Sequence, residues 1–443
     1  MRIWPGVIAA AALFAATPLY ESHRDAANRI IDAALNDDGA YRKLSYLCDR
    51  IGNRLAGSKA LDEAMTWAAA EMKKDGLVNV VTPEVTVSHW VRGKESLSML
   101  APVHRELAIL GLGGSIATPK DGITAEVVPV SSFDELAKLG EGRVRGKIVL
   151  YNVPYTGYGA TVRYRSEGAS RAAKLGAVAA LVRSVTPVSL QTPHTGQMNY
   201  ASDAPKVPSA AVTIETATMI QRLTDSGSPV RVRLFMEAQT LPDAKSANVI
   251  GEIRGREKPE EIVVMGGHID SWDVGQGAHD DGAGIVSAMQ AAAIIQRLGL
   301  KPRRTIRVVC WTNEENGLAG GRAYRKWIGD AALKNHVAAI EMDEGGEKPV
   351  GFGVAESVYA PAAEIGKLLE RIGAGTVTRG GGGADISPIT RDGVPALGLR
   401  TVGTHYFDWH HTPADTVDKV DPQDLKLNVA AMAVMSFVLA DRE

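Results

Sequence analysis

The sequence predicts an α/β protein: a mostly parallel central sheet flanked by helices, with a β-rich module set into the chain. Three observations predict it. From residue 261 onward, short apolar strands alternate with helical segments, the pattern of a parallel sheet covered on both faces. Between 111 and 241 the texture changes to short β runs such as "AEVVPV", "GKIVLYNV" and "VRVRLFMEA" around a few helices. Finally, the later apolar strands run straight into loops rich in acids and histidines, where open α/β sheets collect ligand-binding and catalytic groups.

Taken in order, the chain opens on "MRIWPGVIAAAALFAATPLYES". Arg2 supplies a minimal positive end, and the apolar run 7–16 is too short to span a bilayer. Residues 1–20 therefore read as a secretory signal cleaved near Ala15 or Ala16, with a secreted or periplasmic location to follow. Helices are expected over Ala26–Leu35 and Gly39–Leu55. A third starts at Ser58, with Leu61, Met65, Ala68 and Met72 on one face and Gly76 at its end. "LGLGGSIATPKDG" is a Gly/Pro-rich joint that divides residues 21–110 from an inserted module, 111–241; residues 242–443 return to the main unit.

That last segment reads as strand Glu261–Gly266, a helix from Gly282, strand Thr305–Thr312, helix Gly320–Ile328 and strand Val337–Met342. A further helix, "APAAEIGKLLERIG", precedes the strand "VPALGLRT". The final helix opens on the cap pair Asp421-Pro422 and is apolar nearly all round from Val429 to Ala440, which predicts burial.

Bulk numbers narrow the function. A chain of 443 residues exceeds one ordinary domain. A net charge of −2 without basic runs argues against nucleic acid as a partner, and against stable membrane insertion once the signal is removed. Cys48 and Cys310 sit in apolar contexts and read as buried free thiols. With no Cys-x-x-Cys present, any metal must be held by histidines and carboxylates.

Such groups stand where the fold puts chemistry. His268 ends "EIVVMGGH", with Asp270 two residues on. Asp280 and Asp281 open the next helix, where a carboxylate feels the positive helix end; one can cap while the other ligates. Glu314 and Glu315 follow a buried strand and point to opposite sides of an extended backbone, so one can ligate while its neighbour acts as a base. Asp343 ends a third strand. His411 precedes "HTPADT", a tight turn suited to fixing an imidazole; His279, His405 and His410 are its competitors. Mixed His/carboxylate ligation is what zinc accepts without thiolates, and a shared carboxylate would hold two ions about 3.5–4 Å apart.

The motifs "GNRLAGSKAL", "SHWVRGKESLSML", "GGHIDSWDVGQGAHDDGAG", "WTNEENG" and "DWHHTPADT" together resemble the co-catalytic dizinc exopeptidases of the aminopeptidase and glutamate carboxypeptidase family. The resemblance covers nearly the whole chain after the signal. It implies a catalytic α/β domain interrupted by a protease-associated domain, and two Zn²⁺ per chain. His268, Asp280 and Asp343 would hold one ion; Asp280, Glu315 and His411 the other, with Asp280 bridging. Glu314 would be the general base, and the Asp270 carboxylate would orient His268. A cis peptide is implied between Asp280 and Asp281. His279 departs from the pattern, standing where relatives carry an apolar residue.

The expected activity is exopeptidase hydrolysis of small peptides, dipeptides with free termini above all, with Tyr406 as an additional oxyanion donor. The same resemblance leaves an aminopeptidase open, and a receptor-like protein without catalysis; a phosphoesterase or deacylase on two-metal chemistry is a further rival. No Arg pair marks a glutamate-type pocket, although Arg391, Arg400 and the inserted module could supply one. Part of that module, the "TPHTG" loop with His194, is expected to overhang the cleft. The assembly is left open, a homodimer included.

Overall fold

A computed structural model describes residues 18–443, so the apolar run of the expected signal lies outside the described residues. Two eight-stranded sheets dominate. The larger runs in the order Val78–Val81, Val249–Ile253, Arg304–Trp311, Lys258–His268, His336–Glu341, Ala396–Thr401, Pro349–Val354 and Thr376–Arg379. Its four middle strands, from Arg304–Trp311 to Ala396–Thr401, are mutually parallel. Antiparallel pairs join them to the strands on either side.

The parallel centre has a physical cause. Strand Lys258–His268 is buried from Ile262 to its end, and Arg304–Trp311 and His336–Glu341 are buried nearly throughout. Near-continuous apolar runs suit a strand covered on both faces. One cover is helix Ala283–Arg297, buried along its whole length to Ile295; its alanines and Gly284 allow close approach to the sheet. The final helix, Pro422–Asp441, packs against it and against the first helix, Leu19–Leu35. It is long and apolar enough to cross a membrane, yet it is mostly buried, as the all-round apolar pattern predicts. The Asp421 side chain caps it, and Ser58 caps helix Lys59–Lys74, as their positions imply.

The second sheet runs Arg105–Leu107, Glu95–Ala101, Arg231–Met236, Ile123–Val130, Ile148–Tyr151, Ala179–Arg183, Ser209–Val212 and Ile109–Gly111. Strands Glu95–Ala101 and Arg105–Leu107, expected to belong with residues 21–110, pair inside this sheet instead. The Gly/Pro-rich stretch at 111–119 is thus a turn within the unit rather than its entrance. A two-stranded ribbon, Glu84–Val91 with Gln239–Ala247, carries the chain into and out of the second sheet. Arg92, just past it, forms a paired contact with Asp273 at 2.9 and 2.5 Å, tying that crossing to the loop beside His268.

A candidate two-lobed metal centre

Because the middle strands of the larger sheet are parallel, their carboxyl ends share one edge, and four of them deliver the polar residues. His268 is the last residue of its strand. Glu314 and Glu315 follow Arg304–Trp311, and Asp343 follows His336–Glu341. The loop after Ala396–Thr401 brings Tyr406, His410 and His411. Asn313 and His411 hold φ values of 63° and 61°, the left-handed region that non-glycine residues seldom adopt and that clusters at functional loops.

Asp280 and Asp281 are joined by a cis peptide bond, as the family resemblance implies, and their carboxylates do different work. Asp281 is saturated by backbone: Oδ2 accepts from His268 N–H at 3.1 Å and Oδ1 from Gly284 N–H at 3.0 Å. Gly267 and Gly284 permit this, since a Cβ on either would collide with that carboxylate. Asp280 lies between two imidazoles. Its Oδ1 is 3.1 Å from His268 Nε2 and its Oδ2 is 3.2 Å from His411 Nε2. Asp343 Oδ1 stands 3.4 Å from the same His268 nitrogen, and Glu315 Oε2 stands 3.1 Å from that of His411. The result is two lobes sharing Asp280.

Each imidazole is aimed from behind. His268 Nδ1 donates to the carbonyl of Asp270 at 3.0 Å, while the Asp270 carboxylate is 3.8 Å away. The Asp270 carboxylate also accepts the backbone N–H groups of Glu314 and Glu315, at 3.0 and 3.2 Å, and so fixes that pair. His411 Nδ1 donates to the Thr195 carbonyl at 3.2 Å, not to the Pro413–Thr416 turn. The turn serves Asp280: the Asp415 carboxylate accepts from His279 N–H and Asp280 N–H, at 2.8 and 3.2 Å. His194, expected to overhang the cleft, is buried.

The competing histidines separate. His279 is used up, its Nδ1 accepting from Gly346 N–H and its Nε2 donating to the Lys419 carbonyl. His405 is exposed and pairs with Asp408. His410 stacks on His411 with ring centres 3.5 Å apart and its Nε2 is 3.7 Å from Asp280; it groups with Asp280 and His411 as a possible ligand, but among the described residues it pairs with no second carboxylate. Tyr406 lines the cavity over the site; burial and the nearby Asp280 and Asp343 keep its hydroxyl protonated, far above the usual range.

Two supports were given no role by the sequence. Arg54 is fully buried and donates to the carbonyls of Ile269, Gln276 and Gly277 at 2.6, 2.7 and 2.9 Å, pinning both sides of the His268–Asp280 loop. The Thr195 carbonyl comes from the second sheet's unit.

The electrostatics ask for cations. Burial pulls the His268 and His411 pKa values down, but Asp280 with Asp343 outweighs it at His268. Glu315 and Asp280 outweigh it at His411, which is pushed up to about 10. Burial raises Glu314 well above the usual carboxylate range, with Asp343 adding to it against His268. Burial and the Asp280 charge bring Glu315 to about 7. Asp280 Oδ2 and Glu315 Oε1 are buried without a hydrogen-bond partner. Buried carboxylate oxygens that accept no hydrogen bond, set beside imidazole nitrogens, fit bound metal ions.

An acid-lined cavity of about 560 Å³ opens over this cluster. Sheet, cluster and cavity together are those of a metallopeptidase. Residues 248–436 match the model of peptidase family M28, and the chain belongs to that family. It is 44% identical to carboxypeptidase Q of Bos taurus over 406 residues, 91% of this chain and 86% of that protein. The crystal structure of a peptidase M28 precursor from Shewanella amazonensis SB2B superposes with a TM-score of 0.91 at 36% identity, covering 96% of this chain and 98% of the other. A zinc aminopeptidase from Bacillus subtilis, BSAP, shares the fold at TM-score 0.69 and 21% identity, over 91% and 97% of the two chains.

Proposed function

We propose that this protein is a dizinc exopeptidase that hydrolyses small peptides, dipeptides with free termini foremost, in the manner its likeness to carboxypeptidase Q suggests. The observation that carries the reading is Asp280, whose buried oxygens lie 3.1 Å from His268 and 3.2 Å from His411, the second accepting no hydrogen bond. His268, Asp280 and Asp343 would hold one zinc, and Asp280, Glu315 and His411 the other, a thiolate-free donor set that zinc accepts. When bound, two such ions would acidify a water and polarise the scissile carbonyl.

The chain's own groups do the rest. Glu314 lines the cavity beside these residues and is held by its backbone to Asp270. Its raised pKa suits a base that takes a proton from the attacking water and returns it to the leaving amine. Tyr406, kept protonated, is a donor for the oxyanion that develops on the carbonyl oxygen. The unit built on the second sheet would act as the inserted module that roofs the site. We read the protein as secreted or periplasmic, its partner a small peptide, with no nucleic acid or membrane involved and a homodimer as the assembly to test.

The test is elemental analysis of the zinc-reconstituted protein together with hydrolysis of free, N-blocked and C-blocked dipeptides. Two zinc per chain and cleavage of free dipeptides are expected. Full activity with one zinc would overturn the bridging role of Asp280. Preference for C-blocked substrates with free amines would make the enzyme an aminopeptidase.

A further inference from the structure

Stretches far apart in the chain meet around Arg92, the arginine of "SHWVRG". Its side chain is 10% exposed and is shared between the units built on the two sheets. Toward the larger sheet, Nε and Nη2 donate to the Asp273 carboxylate, in the loop that follows His268, at 2.9 and 2.5 Å. Toward the second sheet, Nη1 donates to the Gly111 carbonyl, and Nη2 stands 3.5 Å from the Thr195 hydroxyl. That hydroxyl donates to the same Gly111 carbonyl at 2.7 Å.

Two lines of contact leave this point, and both end on His411. The first is polar. Thr195 holds His411 twice, its N–H donating to the His411 carbonyl at 3.0 Å and its own carbonyl accepting from Nδ1 at 3.2 Å. The second is aromatic. The guanidinium lies 5.1 Å from the centre of the Trp90 ring, Trp90 meets Trp272 edge-on at 6.5 Å, and Trp272 packs against the His411 ring at 5.6 Å. Gly113 admits this packing, since a Cβ there would overlap the Trp272 ring. His268 is supported otherwise, by the Asp270 carbonyl, Asp281 and Arg54, none of which bonds to Arg92.

We propose that Arg92 is a positioning residue for His411: it locks the second sheet's unit against the larger one, and so sets how tightly the His411 lobe holds its ion while leaving the His268 lobe alone. This rests on the dizinc reading and deepens it. A guanidinium fork on a carboxylate fixes direction as well as distance, which the single ammonium of a lysine does not. An imidazole ligand depends on the contact behind it to hold the ring in place, and losing such support costs roughly 10–10²-fold in metal affinity.

The experiment dialyses wild type, Arg92→Met, Arg92→Lys and Asp273→Asn against buffered zinc and reads metal per chain by elemental analysis. Wild type should reach two zinc per chain. At the free zinc that just fills wild type, Arg92→Met should hold one, its second ion returning at roughly 10–10²-fold higher free zinc. Asp273→Asn, which cuts the same contact from the other side, should behave alike, and Arg92→Lys should fall between. If Arg92→Met fails to fold, these two milder variants carry the same test. Double variants show which lobe is lost. Arg92→Met with Glu315→Gln, both directed at the His411 lobe, should still hold one ion, whereas Arg92→Met with Asp343→Asn should hold almost none. Equal weakening of both lobes would make Arg92 a general brace, and wild-type affinity in Arg92→Met and Asp273→Asn would give it no part in the site; either result overturns the proposal. So does an empty Arg92→Met, Glu315→Gln double variant, since the His268 lobe would then be the one affected. A wild type that never exceeds one zinc defeats the dizinc reading itself.

Discussion

Two regions at the same sheet edge use the same residue types to opposite ends. In the supporting region, Asp281, Asp415, His279 and Arg54 are buried, and their polar groups meet backbone N–H or C=O groups of the chain. In the site proper, Asp280, Glu315, Asp343, His268 and His411 face one another, and Asp280 Oδ2 and Glu315 Oε1 accept no hydrogen bond. Side chains one residue apart, Asp280 and Asp281, fall on different sides of this line. The difference teaches that burial of an acid says little about function. What separates a ligand from a strut is whether the chain already satisfies it.

The largest expected effects test that division directly. Asp280→Asn should empty the centre: zinc per chain should fall below one and activity should drop by at least roughly 10⁴-fold, since both lobes lose their shared oxygen. Asp281→Ala should do the reverse. It strands two buried N–H groups and should cost about 2–4 kcal/mol of stability, read by denaturant unfolding, while the folded fraction keeps both metals. If Asp281→Ala sheds zinc as completely as Asp280→Asn, the line between the regions is wrong.

The next effect divides the glutamates. Glu314→Gln should retain both zinc ions while kcat falls by roughly 10²–10⁴-fold, as expected on removing a general base. Glu315→Gln should lose zinc from one lobe, with activity partly restored by excess metal. Metal content and kcat for each variant decide it. Normal turnover in Glu314→Gln, or zinc loss from it, would reverse the roles of the pair.

Much of this was legible beforehand, for identifiable reasons. The strands and helices after residue 258 announce themselves by apolar run and periodicity, and parallel pairing then brings His268, Glu314, Glu315 and Asp343 to one edge without further information. Which member of a doublet turns inward was not legible from spacing. That choice is made by contacts distant in sequence: Gly284 and His268 claim Asp281, and Asp415 positions the backbone of Asp280. The same holds for the second sheet, whose strand Glu95–Ala101 pairs with Arg231–Met236 across a long stretch of chain. Arg54 stands within the "GNRLAG" motif, but a single arginine satisfied by carbonyls leaves no pattern that states its role. Asp270 stands behind His268 as its position implies, with its carbonyl nearer to Nδ1 than its carboxylate, at 3.0 against 3.8 Å.

The smallest expected effect sharpens the comparison at a histidine far from the cavity. His336 is buried and satisfied: Nδ1 donates to the Ala332 carbonyl at 2.8 Å, and Nε2 meets the Tyr324 hydroxyl at 2.8 Å. Burial lowers its pKa to about 4, with Arg307 adding to the effect against the Ala332 contact, whereas His268 and His411 move upward because carboxylates face them. A depressed pKa means the folded state favours the neutral ring. Its stabilisation is present above the unfolded value near 6.5 and is lost as pH falls from there toward 4. By pH 4.5 that loss should approach about 2–3 kcal/mol. His336→Gln cannot titrate, so chelator-treated wild type should lose more stability than chelator-treated variant between pH 7.5 and 4.5. Removing metal from both keeps zinc release out of the difference. His194, pushed down to about 3 chiefly by burial, should leave a residual slope in the variant. Identical pH dependence for the two proteins would mean that a satisfied buried histidine responds to acid no differently from its absence, and the contrast with the site histidines would fail.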